Sequence, residues 1–315
     1  VSVEFCGLAL AHRVLNGSGT FDVIAARKAF GAGLDEQFPF AAYVSKTITL
    51  QPRAGNPPPR LWETAGGLIN SIGLPNKGLD GYLAEDVPQL ASLSTPEPLR
   101  DPGAGGERGT GARPHWPVPL ITNVMGSSAD EFSRLVEACD AREEIAAIEL
   151  NVSCPNVKTG LDIGSDPRQL EDVVARVRAL SGKPLIVKLT PNCANVASCA
   201  LAAQAGGADA VSLINTLRAM ALVRSADGQP ARAWLGGGTG GLSGPALRSV
   251  ALAQVCAVAA QTTIPIVAMG GVESTGHAAD LLDAGATLVA VGTASFRDPS
   301  TAARIARGLA RAGGE

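Results

Sequence analysis

Eight short runs of apolar, often β-branched residues, each followed by a polar loop and a stretch of helical periodicity, constrain this chain more than any other feature. They fall at Val14–Asn16, Tyr43–Lys46, Leu120–Asn123, Ala147–Asn151, Leu185–Lys188, Ala210–Ile214, Pro265–Met269 and Leu288–Val291. Strands alternating with helices predict a parallel sheet with helical crossovers, and eight of each favour closure into a (β/α)8 barrel of the TIM type. The helices are legible by their period. Phe132, Leu135, Val136 and Cys139 recur at i, i+3, i+4 and i+7, as do Leu170, Val173, Val174 and Val177, so each helix lays one apolar stripe on the barrel. Asp166-Pro167 and Ser243-Gly244-Pro245 mark helix starts, because a proline is tolerated in the first turn, where its missing N–H costs nothing. Barrels of this kind run from about 200 to over 400 residues, so residues 1–315 are read as one domain.

Two stretches break the alternation. Ser92 to Pro117 is rich in Gly, Pro and Arg, too polar to pack, and is read as a flexible surface insertion at 92–117. Thr47 to Gly78 leaves the second strand, passes Pro57-Pro58-Pro59 and returns through Asn70-Ser-Ile-Gly-Leu-Pro-Asn76. A long loop over the strand ends is where barrel enzymes place substrate contacts.

Composition narrows the function. With 26 basic and 29 acidic residues the formal charge is −3, and no run of Lys and Arg forms the footprint that nucleic acid or a membrane surface requires. No apolar stretch approaches the ~18 residues of a spanning helix, and Val1 to Gly19 lacks the pattern of a signal peptide, so a cytoplasmic setting is expected. None of the six cysteines forms a C-x-x-C pair, which argues against a zinc site or an iron–sulfur cluster in this chain. Cys139, Cys193, Cys199 and Cys256, in Ala/Val/Leu-rich helical surroundings, are expected to be small buried hydrophobes.

In a barrel the working residues lie at the C-terminal ends of the strands. Here those ends read Asn16 to Ser18, Lys46, Asn123, Asn151 leading to Cys154, Lys188, Asn215-Thr216, Gly270-Gly271 and Gly292-Thr293. One Asn or Lys there is as readily a capping residue as a ligand. Amide or ammonium groups at six of the eight ends are harder to dismiss. Glycines after the last two strands, where barrels commonly hold phosphate, let backbone N–H groups close around phosphate oxygens and point to a phosphate-bearing cofactor.

Gly236 to Gly241 matches G-x-G-x-x-G, the fingerprint of a dinucleotide site, yet it lacks the preceding plain strand and the acidic residue ~20 positions on. The stretch is expected either to approach the cofactor phosphate or to form a flexible lid. None of the three histidines, His12, His115 and His277, lies at a strand end. Cys154, in Asn151-Val-Ser-Cys-Pro-Asn156, is the best candidate base, because a thiol of pKa about 8.5 yields a thiolate when nearby donors favour it.

These residues assemble into a pattern. From Asn16 to Pro299 the chain resembles the class 1 dihydroorotate dehydrogenases, most closely their B-type, NAD-linked catalytic subunit. The resemblance rests on Asn16-Gly-Ser-Gly-Thr20, Gly55-Asn-Pro-Pro-Pro-Arg60, Asn70 to Asn76, Glu149-Leu-Asn-Val-Ser-Cys-Pro-Asn-Val157, Val187-Lys-Leu189, Ile214-Asn-Thr216, Gly240-Gly-Leu-Ser-Gly-Pro245 and Ala268-Met-Gly-Gly271. A cysteine on the loop after the fourth strand points to class 1, and Val157 to Gly160 to the B type. Gly17, where the family usually has alanine, and the 92–117 insertion are departures; neither removes a chemical group.

The resemblance implies an FMN enzyme of pyrimidine biosynthesis that oxidises dihydroorotate to orotate, with Cys154 taking the C5 proton and flavin N5 the C6 hydride. It implies that Lys46 is catalytic and lies by both flavin and substrate. Ser18, Thr47, Asn123, Asn151, Lys188, Ile214, Gly244, Gly270, Gly271, Gly292 and Thr293 would hold the cofactor, the last five its phosphate. Asn70, Asn151, Asn215 and Thr216, with the backbone of Ile72, Gly73 and Leu74, would hold the substrate. It further implies a homodimer and a separate electron-transfer subunit carrying FAD and a [2Fe–2S] cluster. A pyrimidine-ring reductase of the dihydropyrimidine dehydrogenase type is the rival enzyme, which the Asn70-Ser-Ile-Gly-Leu74 loop disfavours, and an inert flavin-binding barrel is the rival without catalysis.

Overall fold

The apolar runs become eight strands: β1 (Val14–Asn16), β2 (Tyr43–Val44), β3 (Leu120–Val124), β4 (Ile145–Asn151), β5 (Leu185–Lys188), β6 (Ala210–Leu213), β7 (Ile266–Met269) and β8 (Leu288–Val291). The structure, a computed structural model, describes residues 2–31, 34, 38–92, 94–96, 115–152, 163–224 and 230–313. The strands pair in the order β1-β8-β7-β6-β5-β4-β3-β2, and every pairing is parallel. At the remaining seam, between β1 and β2, a side chain replaces the ladder. Asn16 Nδ2 donates to Val44 O at 2.8 Å and Asn16 Oδ1 accepts from Val44 N–H at 2.8 Å, while Ala41 N–H donates to Val14 O at 2.9 Å. The sheet is thereby closed into a (β/α)8 barrel.

Three expected strands are shorter than their apolar runs, β6 by one residue because it ends at Leu213. Pro265 has no N–H for the ladder, so β7 starts one residue later. The second run stops at Val44 because Lys46 and Thr47 turn out of the ladder between the bonds from Ser45 N–H to Ile121 O and from Ile48 N–H to Asn123 O.

Inside the barrel, Leu15, Ile121, Ala147, Ile186, Ala210, Val267 and Leu288 form one apolar cluster with Phe5 and Leu10 of the hairpin Val3–Phe5/Leu8–Leu10, which packs against these inward-facing residues. Alternate residues such as Leu120, Ile148, Leu150, Val187 and Val211 face the helices. Both predicted helical stripes are buried: Phe132, Leu135, Val136 and Cys139 on Ala129–Asp140, and Leu170, Val173, Val174 and Val177 on Pro167–Arg178. Asp166 caps the latter, accepting from Arg168 N–H at 2.9 Å with Pro167 at the first helical position; Ser128, Asn195 and Ser274 cap three others in the same way. The cysteine expectation needs correction. Cys139 and Cys199 are buried, but Cys256 lies on the exposed face of Arg248–Ala259, and Cys193 sits half-buried in the turn before Val196–Ala205.

The long excursion after β2 is ordered. Leu61–Thr64 and Gly67–Asn70 pair antiparallel, and Gly240–Ser243 and Leu217–Ala219 extend them to a four-stranded sheet. This sheet has its own small core, in which Ile69, Ala221 and Leu235 pack with Trp62 and Trp234, the two rings meeting edge to face at 5.7 Å. The flanks of the expected insertion, Ser94–Pro96 and His115–Pro117, pair antiparallel; residues 97–114 lie outside the described residues. No helix among the described residues is long and apolar enough to cross a membrane.

Candidate active site

Strand parity brings the polar residues into the barrel mouth. On β4, Ala147 faces the interior, so Glu149 and Asn151 do too; their register partners are Asn123 on β3 for Glu149 and Lys188 on β5 for Asn151. Ser212 on β6 is in register with Lys188. All five side chains are buried. A polar layer thus lies directly above the apolar one, built from the same strands.

Its hydrogen bonds leave particular groups unanswered. Glu149 accepts a short bond from Asn123 Nδ2 and one from Ser212 Oγ at 2.6 Å. Asn123 Oδ1 is fully buried and accepts no hydrogen bond from the described residues. Lys188, only 5% exposed, has no hydrogen-bond or ion-pair partner among the described residues. A buried ammonium and a buried carbonyl oxygen without partners are costly, so their retention marks a place where a ligand supplies what the protein does not.

Toward β1 and β2, Asn151 Nδ2 donates to Thr47 Oγ1 at 3.2 Å, Thr47 lies 3.4 Å from Ser18 Oγ, and Ser18 donates to Ser45 O at 2.8 Å. Lys46 is exposed beside Gly19, yet partial desolvation holds its pKa below the usual lysine value, with Asp22 opposing that shift and Arg60 adding to it. The expected phosphate residues also converge. A Cβ on Gly244 would sit 3.7 Å from Thr293 Cγ2, one on Gly271 would sit 2.9 Å from Gly244 O, and Thr293 Oγ1 donates to Ser243 Oγ at 2.8 Å. Gly270, with φ 136°, packs on Ile214, and Gly292 follows β8 directly.

The antiparallel sheet supplies the other wall. Asn70 Nδ2 donates to Gly241 O at 3.1 Å, and Thr216 packs so closely on Gly241 that a Cβ there would meet its Oγ1 at 2.0 Å. Asn215 Oδ1 accepts from Thr216 N–H at 2.8 Å. Beyond Asn70 the chain holds Gly73 and Leu74 at φ 74° and 55°, a conformation rare for leucine, with Asn76 Oδ1 accepting from Gly78 N–H at 2.8 Å. The N–H groups of Ile72, Gly73 and Leu74 donate to no described residue. Three free donors in a row suit an anion.

Two expectations change. The Gly236 to Gly241 run ends in a strand, Gly240–Ser243, and most of its glycines answer close packing, Gly238 excepted. A Cβ on Gly236 would meet Pro57 O at 2.0 Å, and one on Gly240 would meet Asn70 O at 2.4 Å. Asn16, one of the polar strand ends, works at the barrel seam. Gly17 is not required by geometry, because an alanine Cβ there would have its nearest contact at 3.5 Å. Cys154 lies outside the described residues. Sequence reasoning missed Glu149 and Ser212; an acidic residue inside an otherwise apolar strand was the available signal.

Fold and site together define a (β/α)8 barrel that gathers amides, a buried lysine and free backbone donors where its strands end. The chain belongs to the dihydroorotate dehydrogenase family, whose model matches residues 1–312. It is 41% identical over 310 residues to the dihydroorotate dehydrogenase B (NAD(+)) catalytic subunit of Geotalea uraniireducens, covering 98% of this chain and 92% of that protein. The proteins of the same name from Trichlorobacter lovleyi and Geobacter sulfurreducens are 41% and 39% identical, with 98% and 99% of this chain and 92% of each relative covered.

Proposed function

We propose that residues 1–315 act as one catalytic domain that oxidises dihydroorotate to orotate in pyrimidine biosynthesis, with FMN as cofactor. The carrying observation is the set of groups at the mouth with no partner among the described residues: the buried Lys188 and Asn123 Oδ1, and the N–H groups of Ile72 to Leu74. They fit FMN and an anionic pyrimidine. FMN would offer ring donors to Asn123 Oδ1 and gain a cation from Lys188, and its phosphate would suit the glycines at 244, 270, 271 and 292 with Thr293. Ser18, Lys46, Thr47, Asn151 and Ile214 complete the cofactor's surroundings.

When bound, FMN supplies the two-electron acceptor for the hydride leaving C6. The chain's own residues do the rest. Cys154 takes the C5 proton, Asn70, Asn151, Asn215 and Thr216 hold the ring amides, and the N–H groups of Ile72 to Leu74 hold the carboxylate. Lys46 would lie by both ligands, while Lys188 would place a fixed positive charge beside the flavin, the preorganised electrostatics that carries much of enzymatic rate enhancement. A pyrimidine-ring reductase is not favoured, because the relatives named above bear the dihydroorotate dehydrogenase name.

For electron export we infer a separate subunit carrying FAD and a [2Fe–2S] cluster, with NAD as final acceptor, joined to a homodimer of this chain in the cytoplasm. The names of the relatives, catalytic subunits of a B-type NAD(+) enzyme, support it. The test is an anaerobic assay of the isolated, FMN-replete chain with dihydroorotate and NAD⁺, fumarate or a dye. Dye reduction alone is expected. Efficient NADH production by the isolated chain contradicts the division of labour, and efficient fumarate reduction moves the protein to the A type.

A further inference from the structure

The chemistry just described gives no task to Glu149, an acidic side chain only 3% exposed in the barrel interior. It spans two strands, taking Asn123 Nδ2 of β3 with one oxygen and Ser212 Oγ of β6 with the other. A buried carboxylate is expensive to hold, and an apolar residue at this inward-facing position, in register with Ile186, would be cheaper. Its effect on Asn123 is specific. A carboxylate only accepts hydrogen bonds, so it fixes which end of the Asn123 amide faces it: the NH2 group must point to Glu149. The carbonyl Oδ1 is thereby turned away from Glu149, buried and without a donor among the described residues. Without Glu149 the amide could rotate by a half-turn and present a donor where an acceptor is needed.

We propose that Glu149 is a positioning residue that orients the Asn123 amide so that its carbonyl accepts from an N–H of the bound cofactor, with Ser212 fixing the carboxylate in turn. The inference rests on the FMN reading. It says that Asn123, Glu149 and Ser212 form one unit, and that discrimination between acceptor and donor at this point of the pocket is set one layer below the ligand.

The experiment measures FMN release from the holoprotein by recovery of flavin fluorescence on dilution, for wild type, Glu149→Ala, Glu149→Gln, Ser212→Ala, Asn123→Ala and the Asn123→Ala/Glu149→Ala double variant. Glu149→Ala is expected to weaken FMN retention by about 10- to 100-fold, the range set by losing one well-oriented buried hydrogen bond to a polar ligand. Glu149→Gln should recover most of that loss, since its carbonyl can still face Asn123 while the Ser212 hydroxyl accepts from its NH2. Ser212→Ala, which frees one carboxylate oxygen of its donor, should shift retention in the same direction by less than Glu149→Ala and by more than Glu149→Gln. The double variant should release FMN no faster than Asn123→Ala alone, because the two act as one unit.

A general packing role predicts a different pattern, in which the two single effects add in the double variant and Gln rescues no better than Ala. That pattern, or wild-type retention in Glu149→Ala, overturns the inference. A wild-type chain that retains no flavin overturns the FMN reading instead, so the two failures are distinguishable. Should Glu149→Ala fold poorly, Glu149→Gln and Ser212→Ala measured against wild type decide between the same alternatives: retention in Ser212→Ala below that in Glu149→Gln, and both below wild type, supports the inference, and equal retention in all three contradicts it.

Discussion

The two ends of the same eight strands are built on opposite rules. At the lower end Leu15, Ile121, Ala147, Ile186, Ala210, Val267 and Leu288 fill the barrel with aliphatic side chains that leave nothing to satisfy. One layer up, the same strands turn Asn123, Glu149, Asn151, Lys188 and Ser212 into an interior just as dry, and some of those groups remain unanswered. Burial alone therefore does not mark the core of this barrel. What separates stability from function along one strand is two residues: Ile186 below and Lys188 above on β5, Ala147 below and Glu149 above on β4.

That contrast breaks if mutations at the two ends have the same consequences, and the sharpest case is Cys154. Cys154→Ser is expected to lower turnover by orders of magnitude at neutral pH while FMN stays bound, because a hydroxyl lacks an accessible anion. Partial recovery at high pH should follow. Wild-type-like turnover at pH 7 in a flavin-replete variant removes Cys154 from its role as base.

Lys188→Ala comes next, with FMN reduction by dihydroorotate expected to slow by about 10- to 1000-fold, as for loss of one preorganised charge. Its melting temperature should not fall, because the ammonium it removes has no partner among the described residues and its burial is unfavourable in the absence of ligand. A normal reduction rate together with a lowered melting temperature would make Lys188 structural.

Two residues below, the opposite is predicted. Ile186→Ala should destabilise the fold by about 2–5 kcal/mol through lost burial and a cavity, read by denaturant unfolding, with the KM for dihydroorotate unchanged where the protein is folded. A shifted KM at constant fold would show that the lower layer reaches the site. The smallest effect belongs to the seam: Asn16→Ala leaves Val44 N–H and O without their side-chain partners and should cost about 1–3 kcal/mol. Unchanged stability there would mean that water replaces the amide.

Much of the architecture is legible in the sequence. β1, β5 and β8 coincide with their apolar runs, and Asp166 caps its helix as its sequence context implies, because these features follow from local periodicity and local hydrogen bonding. The antiparallel sheet is not legible. Gly240–Ser243 carries almost no side-chain pattern, its glycines exist because Asn70 and Thr216 approach closely, and its partner Gly67–Asn70 lies far away in the sequence. Glu149 escapes notice for another reason: attention to strand ends misses a residue two positions before the end of its strand, although its parity with Ala147 and Asn151 places it inside. Asn16 shows the converse, a polar strand end that serves closure of the barrel.

Above all, the upper layer is held to bind a flavin which dihydroorotate reduces. This is tested most directly by an anaerobic titration of the purified chain with dihydroorotate, following the flavin absorbance bands. Stoichiometric bleaching by dihydroorotate, with none by dihydrouracil, is the predicted result. Flavin bands that persist through excess dihydroorotate, or a chain that carries no flavin, would contradict it.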